Sequence, residues 1–149
     1  MILPILTYPN PLLQKKAEEI KDPKSSGTRA LILDMLETME KAGNALGLAA
    51  PQVGKSVRLC IIKLDGKTHI FINPKIKSKS WKKETSEEGC LSFPGKFIPI
   101  KRHRKVKVKA QDREGNEIVI KADGMFSRAL QHEIDHLDGI LFIDRKQTS

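Results

Sequence analysis

Apolar residues recur at a helical spacing in two stretches, one near the start of the chain and one near its end. The first group is Leu31, Met35, Leu36 and Met39. With Gly43 as a stop, this pattern predicts an N-terminal helix over residues 28–42. The second group repeats at intervals of four, four and three residues: Phe126, Leu130, Ile134 and Leu137. It predicts a helix that begins after Asp123, a suitable N-cap, and ends at Gly139.

The middle of the chain contains short runs of apolar and β-branched residues separated by turn residues. Two runs, 57–64 and 68–73, flank Asp65 and Gly66, a dipeptide typical of a hairpin turn. Further strands are predicted at 75–79, 98–100, 106–111 and 117–121, the last two joined by a turn. The region between the two predicted helices is therefore expected to be rich in β-sheet.

Length and composition indicate one ordinary globular unit. With 149 residues, 39% of them hydrophobic and 30% charged, we expect a single domain over residues 1–149. Neither a membrane span nor a signal peptide is recognisable, so we expect a cytoplasmic protein without a membrane partner. Cys60 and Cys90 are then expected to stay reduced, with Cys60 a buried, inert thiol in its strand.

The chain is strongly basic, with a formal charge of +9, which favours attraction to polyanions. The charge is densest between residues 96 and 109. We interpret this segment as the solvated face of an edge strand rather than a dedicated nucleic-acid site, because stacking aromatic residues are scarce there. A weak, salt-sensitive association with ribosomal RNA is compatible with it, and no DNA partner is expected.

The second predicted helix carries an H-E-x-x-H motif at residues 132–136. On a helix His132 and His136 lie about 40° apart, one turn from each other, so both imidazoles can reach one metal ion. Glu133 lies about 100° from His132 and about 60° from His136, at the edge of the same face. From there its carboxylate can take a proton from a metal-bound water without becoming a ligand. We predict a metal site here rather than a solvated helix with chance histidines.

A catalytic metal site usually has three protein ligands and a water, so a third ligand is required. No glutamate follows His136, as a thermolysin-like protease would need, and Phe142 replaces the last histidine of a metzincin. The third ligand is therefore expected upstream. Cys90 is our candidate because glycine and turn residues flank it; His69 and His103 are the alternatives, although each also fits a strand surface. A thiolate with two imidazoles suits zinc or ferrous iron and leaves an open coordination position.

Three separated segments resemble the motifs of the peptide deformylase family, in the family's order and approximate spacing. They are residues 46–52 (LGLAAPQ), 88–92 (EGCLS) and 131–139 (QHEIDHLDG), and residues 5–12 also resemble the family's N-terminal segment. The resemblance implies an α+β fold with antiparallel β-sheets around a central metal-binding helix that carries the H-E-x-x-H motif. It also implies one divalent metal ion, which is Fe²⁺ in the cell and can be Zn²⁺, Ni²⁺ or Co²⁺ in purified protein. The ligands of this ion would be Cys90, His132 and His136.

The resemblance further implies the roles of residues around the metal. Glu133 would act as general acid and base, and Gln52 with the backbone N–H of Leu91 would stabilise the oxyanion. Leu46, Gly47 and Leu91 would line the substrate groove. We also expect from the family that Arg102 pairs with Glu88, and we note that Ala45 replaces a usual glycine and adds a methyl group near the groove.

The expected reaction is removal of the formyl group from the N-terminal formylmethionine of newly made peptides, with release of formate. The metal would activate water, a carboxylate would move the proton, and the growing charge on the carbonyl oxygen would be stabilised by N–H donors. Two alternatives remain open at this point. One is a metallopeptidase or other amidase with the same Cys-His-His site, and the other is a non-catalytic basic RNA-associated metal protein.

Overall fold

The computed structural model describes residues 1–43 and 45–146, so residues 44 and 147–149 of the predicted domain lie outside the description. The helices are α1 (Ser26–Ala42) and α2 (Gly124–Leu137), with short 3-10 helices at Pro11–Gln14, Ala50–Val53 and Phe142–Arg145. The strands are β1 (Gly47–Ala49), β2 (Leu59–Leu64), β3 (Lys67–Lys79), β4 (Lys83–Cys90), β5 (Phe93–His103), β6 (Lys105–Gln111) and β7 (Glu117–Asp123).

The strands form two antiparallel sheets. The larger sheet has five strands in the order β1-β2-β3-β6-β7, and β4 pairs with β5 as a separate two-stranded hairpin. Helix α2 buries Leu130, Ile134 and Leu137 in a core shared with Phe71 of β3. The expected α+β class, with antiparallel sheets and two helices, is confirmed, and the helix with the H-E-x-x-H motif is the second of the two in chain order.

Helix α1 begins two residues before the predicted start. The hydroxyl of Ser25 accepts a hydrogen bond from the backbone N–H of Thr28 at 3.1 Å, which caps the first turn. Gly43, with φ of +85°, ends the helix as predicted. Helix α2 follows Asp123 as expected, but the side chain of Asp123 makes no capping hydrogen bond.

The predicted strand pattern is largely present, with three differences. The predicted strands 68–73 and 75–79 form one continuous strand, β3, because a register shift between Ile72 and Lys75 accommodates Asn73 at a positive φ of 53°. The predicted strand 98–100 is the centre of the longer β5, and β1 and β4 were not predicted. β4 lacks an alternating apolar pattern and is defined by its pairing with β5.

The prediction of a single basic edge strand over residues 96–109 is wrong. This segment spans two strands of different sheets, since β5 belongs to the hairpin and β6 to the larger sheet. β6 lies between β3 and β7, so both of its edges are paired. The lysines of β6 therefore project from the middle of a sheet face.

No helix in the part of the chain that the structure describes is both long enough and apolar enough to cross a membrane.

Candidate metal and catalytic centre

Helix α2 buries polar side chains along the face that meets the β4–β5 hairpin. His132, Glu133 and His136 all lie on this face and are buried. The two imidazole rings are 5.1 Å apart between centroids, as a spacing of four residues on a helix requires. The helix thus presents two imidazoles and a carboxylate together in the interior.

Cys90 reaches the same place from the end of β4. A register shift between Gly89 and Cys90 interrupts the pairing with β5 at this point, and such bulges redirect side chains. The Sγ atom of Cys90 lies 3.4 Å from Nε2 of His136, and the donor atoms of Cys90, His132 and His136 all lie within 4.8 Å of one another.

This spacing fits one metal ion. With bonds of about 2.3 Å to sulfur and about 2.0–2.1 Å to nitrogen, tetrahedral geometry separates the two donor atoms by about 3.6 Å. The observed distance of 3.4 Å between Sγ of Cys90 and Nε2 of His136 is close to that value. The donor set of one sulfur and two nitrogens therefore has the chemistry and the geometry of a transition-metal site.

The electrostatics of the two histidines support the same conclusion. Nδ1 of His132 lies 2.8 Å from Oε1 of Glu88, so it donates to this carboxylate and leaves Nε2 as the ligating atom. Burial opposes a charge on His132, but Cys90 and Glu88 outweigh it and raise the pKa of His132 to about 10. Burial lowers the pKa of His136 well below its ordinary value, which keeps this imidazole neutral. In the metal-free protein the raised pKa places the charge on His132 itself, and a metal ion would have to displace the proton from its Nε2 atom, whereas His136 is already neutral.

Glu88 is held in turn by two guanidinium groups. Arg102 donates from Nε to Oε2 at 2.9 Å and from Nη2 to Oε1 at 3.0 Å, which is the pairing that the family resemblance implies. Arg128 adds a bond from Nη1 to Oε2 at 2.6 Å. Burial alone would raise the pKa of Glu88, but the bonds from His132 and Arg102 lower it to about 2. Glu88 is therefore a fixed anion that orients His132.

Glu133 lies beside the histidines in a different environment. Its side chain is buried, and Oε1 has no hydrogen-bond partner among the described residues. Burial raises the pKa of Glu133 to about 7. A carboxyl group with that pKa can take up and release a proton near neutral pH, which is the property that a general acid and base needs.

Gln52 approaches the cysteine from the segment after β1. Its amide oxygen accepts from the backbone N–H of Ala49 at 2.9 Å, which fixes the orientation of the side chain. Its amide nitrogen donates to Oγ of Ser92 at 3.1 Å and lies 3.6 Å from Sγ of Cys90. Gln52 therefore presents N–H groups directly beside the candidate metal ligands.

A groove of about 530 Å³ opens onto this centre. Its walls include the residues expected to line a substrate groove, namely Leu46, Gly47 and Leu91, together with Ala45, His132 and Glu133. The side chains of Leu46, Phe97 and Met125 border it and are about half exposed or more. Such an apolar rim around a few polar groups is typical of a ligand-binding site.

The alternative ligands do not join the cluster. The His69 ring packs against Phe126 with centroids 4.9 Å apart, and Nδ1 of His103 lies 2.8 Å from the backbone oxygen of Ser80. Cys60 is fully buried in β2, as predicted. Among the described residues, the group of three or more potential metal ligands consists of Cys90, His132 and His136.

Arg128 was missed by the sequence reasoning. It lies four residues before His132, hence on the same side of α2, and it is 8% exposed. Besides Glu88, it donates to the backbone oxygens of Ile100 at 2.8 Å and Glu84 at 2.7 Å. The apolar period of α2 places Arg128 opposite the apolar stripe, so the available signal was its spacing of four residues from His132. Arg128 ties both strands of the Cys90 hairpin to the helix that carries the histidines.

Comparison with known proteins gives a consistent result. Residues 2–149 match the family model described as Polypeptide deformylase. The chain is 47% identical to peptide deformylase 1 of Clostridium perfringens, with 91% of each sequence covered. It is 48% identical to a peptide deformylase of Thermodesulfovibrio yellowstonii, with 97% of this chain and 88% of the relative covered.

Solved structures show the same similarity. The crystal structure of peptide deformylase from Thermotoga maritima superposes with a TM-score of 0.96 at 36% identity, and 99% of each chain is covered. That of the Ehrlichia chaffeensis peptide deformylase in complex with actinonin gives a TM-score of 0.94 at 40% identity, with 99% of this chain and 90% of the other covered.

Proposed function

The chain belongs to the peptide deformylase family, whose enzymes remove the formyl group from the N-terminal methionine of newly made peptides, and we propose how its residues divide this work. Cys90, His132 and His136 would hold the metal ion. When bound, the metal supplies Lewis acidity that lowers the pKa of a water molecule and polarises the formyl carbonyl. The observation that carries this assignment is the convergence of the three donor atoms within 4.8 Å.

Glu133 moves the proton. Its unpartnered Oε1 atom accepts a proton from the attacking water, and burial holds its pKa at about 7, so the proton can be released again. The same carboxyl group then donates to the nitrogen of the leaving methionine amine. The products are formate and a peptide with a free N-terminus. The roles of acid and base fall to one residue in successive steps.

Gln52 and the backbone N–H of Leu91 stabilise the negative charge on the carbonyl oxygen. The amide nitrogen of Gln52 already lies beside Cys90, and its rigid anchoring to Ala49 and Ser92 keeps it in place before the charge develops. Preorganised N–H donors of this kind contribute about 3–4 kcal/mol each to transition-state stabilisation.

Leu46, Gly47 and Leu91 form the wall against which the peptide lies. Gly47 supports this role because its lack of a side chain leaves room beside Glu133. A formyl group carries only a hydrogen on its carbonyl carbon, so a close-fitting wall can exclude acetyl groups by size. The substrate class is therefore N-formylmethionyl peptides.

We also propose the metal, the partner and the cellular location of the enzyme. We assign Fe²⁺ as the cellular metal, with zinc, nickel or cobalt as substitutes, because sulfur and imidazole donors suit all of these ions. Since formylated peptides emerge from translation, we assign the enzyme to the cytoplasm and to weak association with the ribosome. The charge of +9 supports that association.

Formate release tests the proposed roles directly. Protein loaded anaerobically with ferrous iron should release formate from formyl-Met-Ala-Ser and leave Met-Ala-Ser intact, with one iron per chain in the same sample. Glu133→Ala should keep its iron and lose activity by about 10²–10⁴-fold. Glu114→Ala, at an exposed turn position, is the matched control and should behave as wild type. Full activity of Glu133→Ala, or cleavage of the unformylated peptide, would refute the assignment.

A further inference from the structure

Strand β6 presents a row of lysines on the solvent side of the larger sheet. Lys105, Lys107 and Lys109 alternate with buried residues of the core: Val106, Val108 and Ala110. Because β6 lies in the interior of the sheet, neighbouring strands flank this row on both sides. The lysines thus form part of a broad surface rather than an isolated edge.

The flanking strands place more lysines opposite this row. Lys75 of β3 is the partner of Lys109, and Lys121 of β7 is the partner of Lys107. Like charges directly opposite each other destabilise a sheet. Lys109 pairs with Glu117 at 3.1 Å, whereas Lys75, Lys107 and Lys121 make no ion pair with any described residue. We call the group formed by Lys75, Lys107, Lys109 and Lys121 the lysine face.

A single tryptophan lies at the end of the same strands. Trp81, in the turn between β3 and β4, is 98% exposed. Hydrogen bonds fix this turn against the start of β6: the N–H of Ser80 donates to the oxygen of Lys105 at 2.8 Å, and the N–H of Arg104 donates to the oxygen of Lys82 at 3.0 Å. The indole ring of Trp81 is therefore exposed to solvent, while hydrogen bonds to β6 fix the backbone of its turn.

We propose that the lysine face and Trp81 together bind RNA that contains unpaired bases. The lysines would contact phosphates, and the indole would stack on an unpaired base, which is how proteins bind single-stranded regions of RNA. A polyanion would also remove the repulsion between the cross-strand lysine pairs. This inference gives the proposed ribosome association a location, and it rests on that proposal only for the source of the RNA.

An anionic membrane is the other polyanionic surface that such a patch could meet, and the observations favour RNA. Attraction of lysines to anionic lipid contributes only about 1 kcal/mol per residue, and stable binding to a membrane surface adds a contiguous apolar face. In the described residues of this region, the exposed large apolar side chains are Trp81 and Val119. Val119 lies opposite Lys109 in the sheet. Lys109 is about 13 Å along β6 from Lys105, whose backbone oxygen is bonded to the turn that carries Trp81. The two apolar side chains are therefore separated by charged ones.

The test uses the metal-loaded protein and a labelled RNA stem-loop with an eight-nucleotide unpaired loop. Fluorescence anisotropy at about 50–200 mM KCl gives the affinity and its salt dependence. The triple variant K75E/K107E/K121E should lower the affinity about tenfold or more and reduce the salt slope by about two, as expected for three lost phosphate contacts. W81A should weaken binding about tenfold through lost stacking. Because Trp81 is the only tryptophan, its fluorescence should also be quenched by the RNA.

A second triple variant separates a defined surface from net charge. K16E/K24E/K41E changes the charge equally at exposed positions outside the strands and should keep most of the affinity. Formate release should be normal in all variants. A wild-type protein that releases formate but does not bind the stem-loop would therefore overturn the RNA-binding proposal and leave the proposed deformylase activity intact. Equal loss in both triple variants would overturn it, as would binding to phosphatidylglycerol vesicles without binding to the stem-loop.

Discussion

Gly47 lies directly against the carboxylate of Glu133: a β-carbon at position 47 would be 2.5 Å from Oε2. That distance is too short for a nonbonded contact, so Gly47→Ala must displace the carboxylate or the β1 backbone. Because a misplacement of about 1 Å can cost about a hundredfold in rate, we expect formate release to fall by about that factor. Metal content should remain unchanged, since the three atoms nearest to a β-carbon at position 47 all belong to Glu133, which is not one of the candidate ligands. Steady-state assays with metal analysis check both points.

Gly27→Ala is the matched control for this prediction. Gly27 lies in the first turn of α1, and a β-carbon there would meet nothing within 4 Å. This substitution should leave turnover unchanged and stabilise the helix by about 0.5–1 kcal/mol. Wild-type turnover in Gly47→Ala would contradict the proposed position of the Glu133 carboxylate.

The elements with strong local signals could be predicted from the sequence. The hairpin turn at Asp65 and Gly66 has the positive φ values, 52° and 75°, that this dipeptide accommodates. The predicted bounds of both helices agree with the structure to within two residues at each end. Ser25 is a residue type that favours the N-cap position, and it marks the true start of α1. These features depend on neighbouring residues alone.

The remaining features depend on long-range contacts. The continuity of β3 through Asn73 and Pro74 is maintained by the Asn73 side chain, which bonds to Ile20 and Gln111. Such partners cannot be identified from local pattern. The metal-ligand candidates came from motif spacing and from the family resemblance, but the hydrogen bonds of Arg128 arise only when the β4–β5 hairpin meets α2.

Arg128 should control metal retention. It links the hairpin that carries Cys90 to the helix that carries His132, and it helps to hold Glu88. Loss of groups that orient a metal ligand typically costs about 10–100-fold in metal affinity. We therefore expect Arg128→Met to lose zinc to a chelator about ten times faster or more, and to reduce the free energy of unfolding by about 3 kcal/mol.

Two variants distinguish this role from general destabilisation. Arg128→Lys keeps the charge but cannot reach all three acceptors, so its metal affinity should be intermediate. Arg113→Met, at an exposed turn position, should match wild type in both measurements. An Arg128→Met protein that is less stable yet binds zinc with wild-type affinity would show that the residue serves the fold alone.

The two cysteines should differ in reactivity. Burial raises the pKa of the Cys60 thiol well above its ordinary value, so its thiolate fraction is smaller than that of an exposed cysteine. Cys90 is half-buried and lines the groove. In metal-free protein, iodoacetamide should therefore modify Cys90 at pH 8 and leave Cys60 unmodified, as read by mass spectrometry of the peptides.

Metal and denaturant provide the controls for the thiol experiment. Addition of zinc should protect Cys90, whereas guanidinium should expose both thiols to the reagent. Cys60→Ser should retain the zinc-protected thiol. Modification of Cys60 before Cys90 in the folded protein, or zinc that fails to protect Cys90, would be inconsistent with the described centre.

X-ray absorption at the zinc edge of zinc-loaded protein tests the metal centre most directly. We expect one sulfur at about 2.3 Å and two imidazole nitrogens at about 2.0–2.1 Å, with one further light atom from solvent. Cys90→Ser should remove the sulfur signal, and Cys60→Ser should preserve it. A wild-type spectrum without sulfur, or one with four protein ligands around the ion, would contradict the claim that Cys90, His132 and His136 form an open catalytic site.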